Sequence, residues 1–124
     1  MPELAEVEFY RKRWALAATG ERVVRVAAHN GKRPVRHLDT AALRQELTGE
    51  MLVSSEASAK QMLFRFGRTA ALGVHLGMTG ELFVADAGFK PDRHDHLVIF
   101  TRARALVFRD PRMFGRIEFH RGAD

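Results

Sequence analysis

Once an initiator methionine is removed, Pro2 presents a secondary amine at the chain terminus. An α-amino group titrates near pH ~8, against ~10.4 for a lysine, so an appreciable share is unprotonated at neutral pH and can attack without burial. A secondary amine that adds to a sugar or carbonyl carbon collapses to a positively charged iminium. That iminium is an electron sink, which acidifies the neighbouring carbon and permits elimination. Glu3 and Glu6 follow at i, i+3 spacing, which on a helix sets both carboxylates on one face near the amine. One can protonate a leaving oxygen while the other orients water or sugar. The same residues also make an ordinary helix start, because proline and acidic side chains are favoured in a first turn.

Four further segments hold reactive or contact-making side chains. Lys60 ends the apolar face formed by Met62, Phe64 and Phe66, where a lysine either snorkels outward or points its charge into a site. His75-Leu76-Gly77-Met78-Thr79-Gly80 leaves a strand and bends through two glycines, which carries Met78 out on a loop. Asp110-Pro111-Arg112-Met113-Phe114-Gly115 is a second such tip, and an apolar wedge beside an arginine suits insertion into a base stack. His94-Asp95-His96 is the one histidine cluster; with no helical His-x-x-x-His pair, it gives no expectation of a metal site.

Composition narrows the partner. The 124 residues are 46% hydrophobic, enough for one domain with a real core and too few for two, so residues 1–124 are expected to form a single domain. No apolar run approaches the ~20 residues of a membrane span, and glutamates stand where a signal peptide has basic residues; a cytoplasmic protein is expected. With no cysteine, disulfides and thiolate metal sites are excluded within these residues. The net charge is +5, and only Lys12, Lys32, Lys60 and Lys90 are lysines, so most cations are arginines suited to forked phosphate contacts. Arg102, Arg104, Arg109, Arg112, Arg116 and Arg121 crowd the stretch from Thr101 to Arg121 against Asp110 and Glu118, which predicts a local basic field and a nucleic-acid partner.

These groups need elements to hold them. Leu4, Val7, Tyr10, Trp14 and Ala17 recur at helical spacing and predict an amphipathic helix ending near Gly20. Arg22 to Ala28 reads as a strand buried mostly on both faces, and Asp39-Thr40 caps a short helix carrying Ala41, Leu43 and Leu47. From Glu50 onward the period changes to two over Met51–Ser54, Gln61–Phe66, Ala71–Leu76, Glu81–Ala85, Leu97–Thr101, Leu106–Arg109 and Arg116–His120, the pattern of an antiparallel meander. The expected fold is mainly β with helices: an N-terminal helix packed on a two-layer antiparallel β-sandwich. Pro2 is expected at a cleft edge near Lys60, with Met78, Arg112 and Phe114 exposed on neighbouring tips on the same side.

Taken in order, Met1-Pro2-Glu3-Leu4-Ala5-Glu6-Val7-Glu8, Ala59-Lys60, His75 to Gly80, Arg93-His94-Asp95-His96 and Asp110 to Gly115 resemble the N-terminal catalytic domain of the formamidopyrimidine-DNA glycosylases. The resemblance covers essentially the whole chain. It implies base-excision repair: removal of oxidised bases by a bifunctional glycosylase and abasic-site lyase through an N-terminal proline iminium. It further implies that Pro2 is the nucleophile at C1′, that Glu3 donates a proton to the sugar with Glu6 in support, and that Lys60 binds phosphate and assists β-elimination. His75, His94 and Arg112 fall at DNA-contacting positions, and Met78, Arg112 and Phe114 at those that fill the gap left by a flipped base. The implied partner is double-stranded DNA with an oxidised base or abasic site, the implied state a monomer at the bacterial nucleoid. No cofactor is implied within these residues. The family's helix–two-turns–helix part and four-cysteine zinc finger, with one structural zinc, have no counterpart in this sequence, so the isolated domain is expected to be weak or inactive.

Ala5 departs from the usual proline, and Met113 stands where many members carry a second arginine. Two other readings fit parts of the pattern: a non-catalytic damaged-DNA-binding domain, and a tautomerase that uses an N-terminal proline as a base.

Overall fold

The computed structural model describes residues 4–29, 34–58 and 61–121. Helix α1 spans Leu4–Ala18 and buries Val7, Trp14 and Ala18, with Tyr10 and Ala17 packed at the margin. The expected stripe therefore holds except at its start, where Leu4 is 52% exposed. Register explains this. Arg11 reaches Ser55 of β2 (Leu52–Ala57), and Gly20 donates its N–H to Leu52 O, so the helix runs antiparallel to that strand. Leu4 lies roughly 10 Å beyond Arg11, whereas β2 continues only ~7 Å past Ser55, so the first turn overhangs the sheet. Trp14 is fully buried, its ring centroid 5.0 Å from that of Phe64, and its indole N–H donates to Phe83 O at 3.2 Å. One residue thus pins α1 to both sheets. Gly20, at φ +91°, ends the helix in the left-handed conformation that glycine adopts without a Cβ penalty.

The remaining elements are β1 (Arg25–Ala28), α2 (Thr40–Leu47), β3 (Met62–Phe66), β4 (Ala70–His75), β5 (Glu81–Asp86), β6 (Asp95–Phe100), β7 (Arg104–Arg109) and β8 (Arg116–Arg121). They form two four-stranded antiparallel sheets, ordered β1-β6-β7-β5 and β2-β3-β4-β8. Their facing sides make one core that includes Phe64, Phe66, Leu72, Leu82, Leu97, Ile99, Leu106 and Phe108. This is the two-layer sandwich with an N-terminal helix that the sequence predicts. Asp39 caps α2 as expected, its carboxylate accepting the Ala42 N–H at 3.0 Å, although Ala41 is exposed and Thr40, Leu43 and Leu47 form the buried face.

Two expectations are corrected. The strands are a simple meander only through β2-β3-β4 and β6-β7; β5 pairs with β7, β8 returns to β4, and β1 adds to β6. Period-two patterning reports which face is buried and is silent on which strands pair. Arg22 to Ala28 is not a strand buried mostly on both faces either. Val24 is 54% exposed, and regular pairing covers only Arg25–Ala28. The preceding residues cross between layers, Val23 N bonding Glu50 O while Val24 N bonds Phe100 O, and β1 sits at a sheet edge.

Candidate nucleic-acid interface

The chain changes sheet twice after β2, and both changes occur at one end of the sandwich. His75 closes β4 opposite Arg116, the first residue of β8; Glu81 opens β5 opposite Arg109, the last of β7; and Asp95 opens β6 opposite the same Arg109. The connections 76–80 and 110–115 are therefore neighbours. They touch backbone to backbone. A Cβ on Gly77 would stand 2.7 Å from Gly115 N and Phe114 C, and one on Gly115 would stand 2.7 Å from His75 O. Gly77 also has φ +65°, so both steric room and backbone conformation demand glycine there.

Asp110 ties these connections together. It is fully buried, its Oδ1 accepting the Thr79 hydroxyl at 2.6 Å and its Oδ2 accepting the Gly115 N–H at 2.6 Å. Its own N–H donates to His94 O at 2.9 Å, and its carbonyl, which can only accept, takes the Nε2 proton of His96 at 2.8 Å. Segments carrying Met78, His94 and Phe114 thus all hang on one residue.

What they present is exposed. Met78 is 70% and Phe114 49% accessible, and the Arg112 guanidinium lies 5.1 Å from the Phe114 ring centroid. Between them Met113 has φ +60°, a left-handed conformation that costs a non-glycine residue on the order of 1 kcal/mol or more and persists only where surroundings enforce it. His94 is half-buried in a turn held by charge: its N–H donates to Asp92 Oδ1 at 2.9 Å, while Arg109 bonds Asp95 at 2.6 and 3.0 Å and Asp92 at 3.4 Å. The His94 N–H is the main reason the Asp92 carboxyl sits below its ordinary range; the Arg109, His94 and Arg93 charges add to it and desolvation opposes. The Asp95 hydrogen bond raises Arg109 in turn. His75, half-buried at the end of β4, lies 3.9 Å from Glu118, which also accepts from Arg116 at 3.2 Å.

Of the expected catalytic residues, Glu6 is described: it is exposed in the first turn of α1. Pro2, Glu3 and Lys60 lie outside the described residues, as does the expected proximity of Pro2 to Lys60. Their described neighbours share an end. The overhanging start of α1 lies by the β2–β3 turn, where Ser58 N bonds Gln61 O, and Met62 pairs with Val74 beside His75. That is the end bearing Met78, His94, Arg112 and Phe114.

The expected basic field is divided. Arg104 pairs with Asp86 and Arg121 with Ala70 at the opposite ends of their strands, ~17–20 Å from the tips. Arg109, Arg116 and Arg121 hold carboxylates of Asp95, Glu118 and Glu46. Arg112 has no carboxylate within ion-pair distance among the described residues. Closeness in sequence is not closeness in space here, because each antiparallel strand carries its two end arginines to opposite ends of the sandwich. Sequence reasoning also missed Asp110, Thr79 and the Asp95–Arg109 pair. Asp110 and Thr79 left a trace only as polar residues beside proline or glycine in the two tips, Asp95 as a member of the histidine cluster and Arg109 as one arginine of the basic stretch.

The zinc implied by the resemblance has no donors here: the chain lacks cysteine, and among the described residues no group of three histidines or carboxylates is placed to hold a metal ion. No described helix is long and apolar enough to cross a membrane.

Comparison with known proteins agrees with this geometry. The family profile of the formamidopyrimidine-DNA glycosylase N-terminal domain matches residues 1–117. The formamidopyrimidine-DNA glycosylase of Geobacter sulfurreducens is 43% identical over 118 residues, covering 94% of this chain and 42% of the relative. That of Rhodospirillum rubrum is 43% identical over 121 residues with the same coverage. The Lactococcus lactis protein, solved with DNA containing an oxidised pyrimidine, superposes with TM-score 0.86 at 28% identity over 97% of this chain and 44% of its own. A MutM structure with DNA containing carbocyclic 8-oxo-G gives 0.84 at 30% identity over 97% and 45%. The chain spans less than half the length of these relatives. With this sandwich, these two glycine-bound tips and a profile match over nearly its whole length, the chain belongs to the formamidopyrimidine-DNA glycosylase N-terminal domain family.

Proposed function

We propose that this chain is the catalytic part of a base-excision repair enzyme that removes an oxidised base from duplex DNA and then cleaves the strand. The supporting observation is the convergence at one end of the sandwich of the α1 start, the β2–β3 turn and the two tips with Met78, Arg112 and Phe114 exposed. Family membership and neighbours solved with lesion-containing DNA agree with it. Excising a base requires that it leave the stack, which opens a hole and orphans its partner. Methionine and phenylalanine supply apolar filling for that hole, and Arg112 supplies donors for the orphaned base.

In this reading the Pro2 nitrogen bonds to C1′ as the C1′–base bond breaks, and Glu3 protonates the sugar as its ring opens. Loss of the amine proton leaves the iminium, whose positive nitrogen acidifies C2′; removal of that proton expels the 3′ phosphate and breaks the strand. Glu6, three residues after Glu3 in sequence, orients the reacting groups, and Lys60 neutralises the phosphate beside them. A tautomerase fits less well, since its proline begins a strand and here a helix follows within two residues.

Borohydride reduction of the full-length protein with duplex containing an abasic site tests the reading. A stable adduct on Pro2 is expected. DNA binding without an adduct would favour a non-catalytic damage binder instead.

A further inference from the structure

We propose that Asp110 and Thr79 are positioning residues that make Met78 and Phe114 act as a single wedge, so that neither tip enters the DNA stack without the other. The inference rests on the function proposed above. Its physical basis is that the two tips come from different sheet crossovers and strand pairing holds them only at their bases, where His75 lies opposite Arg116 and Glu81 opposite Arg109. Gly77 and Gly115 bring the backbones into contact, but contact alone transmits a push and no pull. The Asp110 carboxylate adds the pull: one oxygen holds the Thr79 hydroxyl, next to Met78, and the other holds the Gly115 N–H, next to Phe114. Both bonds are 2.6 Å, and the carboxylate between them is fully buried. A hydrogen bond to a charged acceptor shielded from water is among the stronger ones, and losing it leaves a buried donor or acceptor unmet.

The link matters for one step only. Inserting two side chains into a base step is resisted by stacking, and a rigid pair meets that resistance together while independent tips meet it in turn. Cleavage at a site whose base is already gone needs no such displacement. Thr79 and Asp110 should therefore affect excision of a stacked lesion and spare the chemistry at an abasic site, which separates positioning from general structural support.

The decisive variant is Thr79→Val, which keeps shape and removes only the hydroxyl; Asp110→Ala would also strip the Gly115 N–H of its acceptor and risks the fold. In the full-length protein, Thr79→Val should slow single-turnover excision of a paired 8-oxoguanine roughly tenfold. Borohydride trapping on abasic duplex should stay within about twofold of the unmodified protein. Thr79→Ser should restore excision. So should Asp110→Asn, because the hydroxyl can turn from donor to acceptor and meet the new amide while the remaining oxygen keeps Gly115. Met78→Ala should cost less when Thr79→Val is already present than alone, the signature of a shared function.

Equal losses on both substrates, unchanged excision in Thr79→Val, or strict additivity with Met78→Ala would overturn the proposal while leaving the glycosylase reading in place. Absence of a trapped adduct from the unmodified protein would remove that reading and this inference with it.

Discussion

Gly77 and Phe114 approach so closely that a Cβ on the first would stand 2.7 Å from the carbonyl carbon of the second. Gly77→Ala must therefore displace backbone as well as adopt φ +65°, a conformation alanine enters at a cost. We expect a loss above about 1 kcal/mol, read as a melting temperature lower by roughly 4 °C or more. Gly49, at φ +90° with nothing near its Cβ, is the control: Gly49→Ala should cost less. Equal melting temperatures for the two variants would contradict the close approach.

Phe114 is half-exposed and touches Arg112, so its removal leaves no core cavity. Phe114→Ala should slow excision of a paired lesion by roughly tenfold or more, the scale of a few kcal/mol of unstacking no longer offset. Cleavage at a pre-formed abasic site should change little. Comparable losses on both substrates would mean that Phe114 supports the structure and does not act as a wedge.

Trp14 joins α1 to both sheets. Trp14→Ala removes the Phe64 contact and the bond to Phe83 O, and should cost about 3–5 kcal/mol in chemical denaturation. Trp14→Phe keeps part of the ring contact, loses the bond to Phe83 O and leaves a smaller void, so a lower cost of about 1–3 kcal/mol is expected. A Trp14→Ala loss no larger than that of Trp14→Phe would contradict the anchoring role.

The Asp92 carboxylate that accepts the His94 N–H should stay ionised through neutrality. The folded pKa of Asp92 lies below its ordinary 3.8, so its contribution is complete above that value and is lost only as pH falls through the lower, folded pKa. In an NMR titration the Asp92 carboxyl carbon should hold its chemical shift down to about pH 4 and move below it. A transition of that carboxyl centred above about pH 5 would reverse the sign.

Much of this architecture was legible because it is written in local period. Val7, Tyr10 and Trp14 mark a helix face, Met62, Phe64 and Phe66 alternate as a strand, Asp39 caps α2, and paired glycines carry Met78 outward. What stayed hidden depends on residues distant in sequence meeting in space. The pairing of β8 with β4 decides that Arg116 lies beside His75 while Arg121 lies at the other end. Leu4 is exposed because a strand in another part of the chain ends short of it. Asp110 looks like a turn residue before a proline, and only the return of the chain past Thr79 makes its carboxylate a tie. The candidate site was readable as residue types, and its mechanical connection was not.

The central claim is that the terminal amine of Pro2 forms a covalent bond with an abasic sugar. The most direct measurement is borohydride reduction of the full-length protein with abasic duplex, followed by mass spectrometry of the peptide carrying the adduct. One adduct is expected, on the N-terminal peptide at Pro2, abolished when a single residue is added before that proline. An adduct that persists in the extended protein, or maps to a lysine side chain in the unmodified one, would contradict it.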